Sequence, residues 1–330
     1  MKIVNFELNK QEDVSIYQIG HSGGTCFERY AKEILNNEKN EFWILGQSSN
    51  FKNIRNTERH DRLIRVDETT IEYLKRGFPV KLLGNFFNDI DIVIHNYGEI
   101  SLNLTGLKAK QICWYSFVGQ SHQPNTDYAF LYSDFQNLYC SPNTKILKVK
   151  IGKPVRENFK PTIKEDFLFQ CTRNDTVMDT IYTAKLCQKF NIKGYFGGPI
   201  LDNYPLLDYI DNKNTFYLGI LSEEEKLNWG RKARLYGCIQ NWDTIFSLSA
   251  IEALGQGTPV IARNRGCFNY LINNDIDGFF YDDNEESFLK IWEKSLDINQ
   301  YNCYNKALQY SEKEMVESFY NNFKYILNNE

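Results

Sequence analysis

The stretch FSLSAIEALGQGTPVIA, Phe246–Ala262, reads as a short helix closed by Gly257 and Pro259 and followed by an apolar strand. Its one carboxylate, Glu252, stands between Ile251, Ala253 and Leu254, and a glutamate in such company needs a partner. Asp243 or Thr244 is placed to cap the helix, which leaves the amides of Phe246, Ser247 and Leu248 as donors for an anion. Helical side chains lean towards the N-terminus, so the Glu252 carboxylate reaches back towards whatever those amides hold. A phosphate with an attached ribose fits this spacing, the amides on phosphate and the carboxylate on the diol. An ion pair of Glu252 with Arg263 or Arg265 fits the same residues and stays open at this point.

Outward from this unit, strand-like and helix-like runs alternate. EFWILG (41–46), DIVIHN (91–96), KQICWYSF (110–117), DYAFLYS (127–133) and TKILKVKIG (144–152) follow a strand expected at VSIYQIG (14–20) and a helix from Thr25 to about Asn36. A stretch rich in charge and proline, 151–166, reads as a linker. The rhythm restarts with FLFQCTR (167–173), a helix over 179–190, KGYFGG (193–198), TFYLGIL (215–221), a helix from Ser222 to about Tyr236, YGCIQN (236–241), the opening unit and GFFYDD (278–283). Residues 311–329 carry Met315, Phe319, Phe323 and Ile326 at helical spacing behind a serine cap. Alternation of this kind predicts α/β architecture, two doubly wound Rossmann-like domains facing a cleft. The expected boundaries are 1–153, 154–310 and a C-terminal helix, 311–330, crossing back to the first domain.

Composition narrows the function. With 330 residues, 42% hydrophobic and 15% aromatic, the chain can bury two cores. A net charge of −4 gives no overall case for nucleic acid as a partner. The start, MKIVNFELNK, lacks the apolar core of a signal peptide, and no run approaches the ~18 apolar residues of a membrane span. The expected location is cytoplasmic, at most peripheral at the inner face of a membrane. The eight cysteines stand singly, without zinc-type spacing, and read as reduced core thiols; no metal site is expected.

Three further candidates sit where strands end. In GHSGGTCFERYAKEI (20–34), Gly23 and Gly24 allow a tight turn and close approach of backbone amides to a phosphate, or form an ordinary strand–helix turn. His95 stands near the end of DIVIHN, at the carboxyl edge where ligands of open α/β sheets collect, or is satisfied there by a backbone carbonyl. Arg173, directly after FLFQCT, can fork onto phosphate oxygens or lie on the surface. The pair Asp89 and Asp91 has the spacing of a metal–diphosphate motif but precedes its strand, so it reads as a solvated strand start.

Taken together, WDTIFSLSAIEALGQGTPVIARNRG resembles the donor-binding signature of the retaining GT-B glycosyltransferases of family 4: a glutamate, seven residues, a second glutamate, then G-T-P-V. Glu252 matches the second glutamate and Gly257-Thr258-Pro259-Val260 the tail. SGGT resembles the family's glycine loop, DIVIHN its strand ending in an active-site histidine, GKPVRENFKP its interdomain segment, and LINNDIDGFFYDD the segment after the donor site. Three positions depart from the pattern. Thr244 stands at the first glutamate, Thr172 replaces a glycine before Arg173, and Val177 or Met178 occupies the place of a phosphate-binding lysine, for which Lys226 or Arg231 would have to compensate.

The resemblance implies transfer of a sugar from a nucleotide-sugar donor, UDP- or GDP-linked, to a glycan or lipid-linked acceptor hydroxyl, with retention of configuration and no cofactor or metal. It assigns His95 to the donor sugar, Glu252 to the ribose, and Gly23, Gly24, Arg173, Thr244, Phe246, Ser247 and Leu248 to the donor and its phosphates. A nucleotide-sugar epimerase or hydrolase, or a non-catalytic nucleotide-binding protein of the same fold, are the rival expectations. The basic run 46–65 is either an acceptor-side loop or a solvated one.

Overall fold

In the computed structural model the described residues are 2–7, 41–47, 63–66, 91–96, 110–114, 127–132, 136, 144–201 and 203–329. The chain divides into two compact units, Met1–Ile151 with Glu312–Glu330, and Gly152–Ser311.

The first unit holds, among its described residues, strands β1 (Lys2–Glu7), β2 (Glu41–Gln47), β3 (Leu63–Val66), β4 (Ile92–Asn96), β5 (Lys110–Trp114), β6 (Tyr128–Leu131) and β7 (Lys145–Lys148). They form one sheet in the order β3-β2-β1-β4-β5-β6-β7, every pair parallel. All four residues of β6 are buried, as a strand covered on both faces requires. The strand order reverses between β1 and β4, where the β1 residue Phe6 lies beside His95 of β4. The unit is completed by the last helix of the chain. Its Phe319 and Phe323 pack on Phe130 of β6, and Asn322 donates to the Lys148 carbonyl at the edge strand, 2.8 Å.

The second unit carries, in chain order, β8 (Glu165–Cys171), α1 (Thr180–Lys189), β9 (Lys193–Gly197), β10 (Thr215–Tyr217), α2 (Glu223–Lys232), β11 (Ala233–Cys238), α3 (Leu248–Gly255), β12 (Val260–Arg263), α4 (Phe268–Leu271), β13 (Gly278–Tyr281), α5 (Glu285–Lys294) and α6 (Gln300–Leu308); the last helix of the first unit is α7 (Glu312–Asn328). The sheet is again all parallel, ordered β10-β9-β8-β11-β12-β13, with its reversal between β8 and β11. Two cores cover its faces, one built around Phe169, Tyr236, Ile251 and Leu254, the other around Leu168, Phe196, Leu235 and Phe288.

Several expectations are corrected here. Residues 2–7, read only for the lack of a leader, form β1, and Leu63–Val66, at the end of the basic run, form β3. The expected strand 14–20 and the helix expected from Thr25 to about Asn36 lie outside the described residues, as do Gly23, Gly24 and Asp89. Asp91 is exposed, just before β4. The helix expected to reach Tyr236 ends at Lys232, and Ala233–Cys238 is a fully buried central strand. Its end is set from outside the helix: Thr258 takes the Gly230 carbonyl (2.6 Å), and Lys164 and Thr162 take that of Arg231 (2.9 and 3.1 Å). These contacts show that the stretch read as a linker is laid onto the second unit. Thr162 also exchanges two hydrogen bonds with the Gln300 amide, and Phe159 stacks on Tyr304, 4.6 Å between centroids. No helix among the described residues is long and apolar enough to cross a membrane.

Candidate functional site

The carboxyl ends of β8 and β11 flank the reversal point of the second sheet, the position at which open α/β sheets leave a crevice. Tyr236 of β11 fastens the two strands: its hydroxyl donates to the Cys171 carbonyl (2.8 Å) and accepts from the Cys171 amide (3.2 Å).

Two residues past the end of β8 comes Arg173, 40% of whose side chain is exposed. Its Nε meets Asp175 Oδ2 at 2.7 Å, while Asp175 Oδ1 accepts from the amides of Val177 and Met178, 3.0 and 2.9 Å. The residues that stand at the lysine position of the resemblance are thus occupied in a turn that Asp175 closes. Asn174, fully buried, holds the turn from below, its Nδ2 donating to the carbonyls of Gly198 (3.0 Å) and Gly197 (3.2 Å) at the end of β9. Gly198, at φ 103°, is required there: a Cβ would lie 1.9 Å from the Thr172 oxygen.

The loop after β11 is tied to this turn by the Asn241 amide, which donates to the Val177 carbonyl at 2.9 Å. Asp243 is held by Arg265 Nε (2.8 Å). The Thr244 carbonyl accepts from the Cys267 amide (2.7 Å), and its hydroxyl donates to the Phe246 carbonyl (3.1 Å). With both residues so engaged, neither caps the helix, contrary to expectation. Ser247 is the N-cap of α3, its Oγ accepting from the Ala250 amide at 3.3 Å. The first-turn amides left for an anion are therefore those of Leu248 and Ser249, and Phe246 precedes the helix.

Glu252 does have partners, and they are neither Arg263 nor Arg265. Its Oε1 meets Lys153 Nζ at 2.8 Å and its Oε2 meets Lys226 Nζ at 3.0 Å. Arg263 turns to Asp283 (2.7 Å) and Asn241 (2.7 Å) instead. The side chains of Lys153, Glu252 and Lys226 are 12%, 11% and 17% exposed. Lys226 also meets Glu223 at 2.8 Å, one turn back on α2. Burial acts to lower the Lys226 ammonium, but Glu252 and then Glu223 outweigh it and hold its pKa above the ordinary lysine value. Lys226, Tyr236, Ser249 and Glu252 line one crevice between α2 and α3 over Phe169. Cys171, in the same neighbourhood, is pushed up to about 12 by burial, so its thiol is inert.

The second unit thus carries Arg173 in the turn after β8, Thr244 in the loop hydrogen-bonded to that turn, Ser247 and Leu248 at the start of α3, and Glu252 within it. Sequence reasoning named Lys226 only as a stand-in and missed Lys153 and Asn174, since nothing in the local pattern links residue 153 to a helix so far along the chain. His95 belongs to the first unit, the penultimate residue of β4 beside that sheet's reversal point.

No protein-family model matches the chain, and no curated protein matches it in sequence. Solved structures do match. The chain is similar to a glycosyltransferase from Rickettsia africae ESF-5, 15% identical over 100% of this chain and 99% of that one, TM-score 0.76. It is similar to sucrose-phosphate synthase from Thermosynechococcus elongatus, 12% identical over 100% of both chains, TM-score 0.76. Anabaena HepE in complex with UDP aligns over 98% of this chain and 100% of its own at 11% identity, TM-score 0.71. The likeness shows the fold, which is the GT-B fold of these glycosyltransferases.

Proposed function

We propose that the protein is a glycosyltransferase that moves a sugar from a UDP- or GDP-linked donor to an acceptor hydroxyl of a glycan or lipid-linked glycan, with retention of configuration. The observation that supports this reading is the reversal of the second sheet between β8 and β11, with Arg173 in the turn that follows β8 and α3, which carries Glu252, following β11. Departure of the nucleoside diphosphate is the costly event, and fixed donors aimed at the developing charge lower its barrier without a metal. In this reading Arg173, Leu248 and Ser249 face the diphosphate, Glu252 accepts from the ribose hydroxyls, and His95 serves the donor sugar. Gly23 and Gly24 keep their assignment to the donor from the resemblance alone. The leaving phosphate takes the acceptor proton, so no protein base is assigned.

A thermal-shift screen of UDP, GDP, ADP and CMP sugars tests the reading, because a ligand that binds only the folded state raises the melting temperature by linkage. One nucleotide class should stabilise the protein; Glu252→Ala should remove that shift, and His95→Ala should slow transfer while keeping it. Transfer unchanged in both variants would end this assignment.

A second reading, nucleotide binding without transfer, is favoured by Thr244, whose hydroxyl is spent on the Phe246 carbonyl where the resemblance places a sugar-contacting glutamate. Thr244→Glu separates the two: donor hydrolysis that appears only in this variant would favour the non-catalytic protein.

A further inference from the structure

Glu252 is held by more than one counter-ion would require. The three side chains come from distant segments: Lys153 from the start of the second unit, Lys226 from α2 and Glu252 from α3. Lys153 is itself anchored, its backbone amide donating to the Tyr310 carbonyl at 3.1 Å. Lys226 already has a carboxylate on its own helix, Glu223 at 2.8 Å, so neutralising its charge does not demand the reach to Glu252. Each ammonium takes a different carboxylate oxygen, Oε1 for Lys153 and Oε2 for Lys226. The terminal torsion of a glutamate is otherwise broad and two-fold, and a cation on each oxygen stops that rotation. An ionised carboxylate offers about four lone-pair sites. Two ammonium contacts leave one acceptor direction on each oxygen, the number a vicinal diol uses. The carboxylate, 11% exposed, lines a narrow crevice with Ser249 and Lys226.

We propose that Lys153 and Lys226 are positioning residues that lock the Glu252 carboxylate in the orientation that accepts both hydroxyls of a nucleotide ribose, and that this clamp makes the site select a ribonucleotide over its 2′-deoxy counterpart. The inference rests on the nucleotide-donor reading above. A carboxylate fixed to meet two hydroxyls is left with an unanswered acceptor when one is removed, which is how polar sites reject analogues lacking a hydroxyl. A carboxylate free to turn would lose less.

The test is calorimetry on the full chain with UDP, GDP and ADP, followed by the 2′-deoxy form of whichever binds tightest. The wild-type protein should prefer the ribonucleotide by about tenfold or more. Glu252→Gln should bring the two affinities close to parity, and Lys153→Met and Lys226→Met should each cut the preference at least about threefold. Lys226→Arg, which keeps the charge and changes its geometry, should cut it too and serves if Lys226→Met does not fold. Should the lysine variants weaken both nucleotides equally, or leave the preference untouched, the lysines only tie segments together and the inference falls. If the wild type binds none of the three diphosphates, the donor reading itself fails and takes the inference with it; if it binds them without ribose preference, the donor reading survives and the clamp alone is refuted.

Discussion

Ser247 decides where α3 begins, and with it which amides face outward. Asp243, Thr244 and Ser247 are all residues that cap helices well, and local sequence does not choose among them. The choice is made by Arg265, which takes Asp243, and by the Phe246 carbonyl, which takes the Thr244 hydroxyl. Ser247→Ala should therefore lower stability by about 1 kcal/mol, seen as a fall in the denaturation midpoint with an unchanged slope, whereas Thr244→Ala leaves the cap intact. Glu252 shows what a sequence does carry at this scale. A carboxylate between Ile251, Ala253 and Leu254 announces that it has a partner, but which partner depends on Lys153 and Lys226, brought in by tertiary structure.

Helix α2 illustrates the same division for an element. Its start is written locally as a capping box, Ser222 accepting from the Glu225 amide (3.3 Å) and Glu225 accepting from the Ser222 amide (2.8 Å). Its end is not, because Leu235 and Tyr236 continue the helical spacing while belonging to a central strand. The stop comes from Lys164, which donates to the Arg231 carbonyl at 2.9 Å and the Thr258 hydroxyl at 2.6 Å. Burial lowers the Lys164 pKa from 10.5 to about 8, with Arg231 adding to the effect and the Cys303 side chain opposing it. Between those values the unfolded chain binds more protons than the folded one, so this group makes stability rise with pH across the window, by at most about 1.4 kcal/mol per pH unit. The increment is complete above the unfolded value and lost as pH falls to about 8. Denaturant titrations of wild type and Lys164→Met from pH 7 to 10.5 should show the rise in the wild type and its absence in the variant.

For the molecule as a whole, the strand–helix rhythm made the α/β architecture legible, and the order of motifs pointed to the GT-B fold. Strands β1 and β3 were not, since Lys2–Glu7 mixes polar residues with its apolar ones and Leu63–Val66 closes a run of charge. The last helix was legible because Met315, Phe319, Phe323 and Ile326 keep strict spacing, and all four are completely buried in the first unit. Phe319 packs edge-on against Phe130, 5.3 Å between centroids. Phe319→Ala should cost about 3–5 kcal/mol, with loss of amide protection concentrated in β6, β7 and α7 by hydrogen exchange.

That helix gives the chain an order of events during its synthesis. Everything that completes the second unit, through Ser311, is made before the residues that cover Phe130. Domains usually fold from the N-terminus as they emerge. Here the earlier half must wait, Phe130 uncovered, until Phe319 and Phe323 have been made. A released chain truncated before residue 312 should hold a protease-resistant second unit and a protease-sensitive first one.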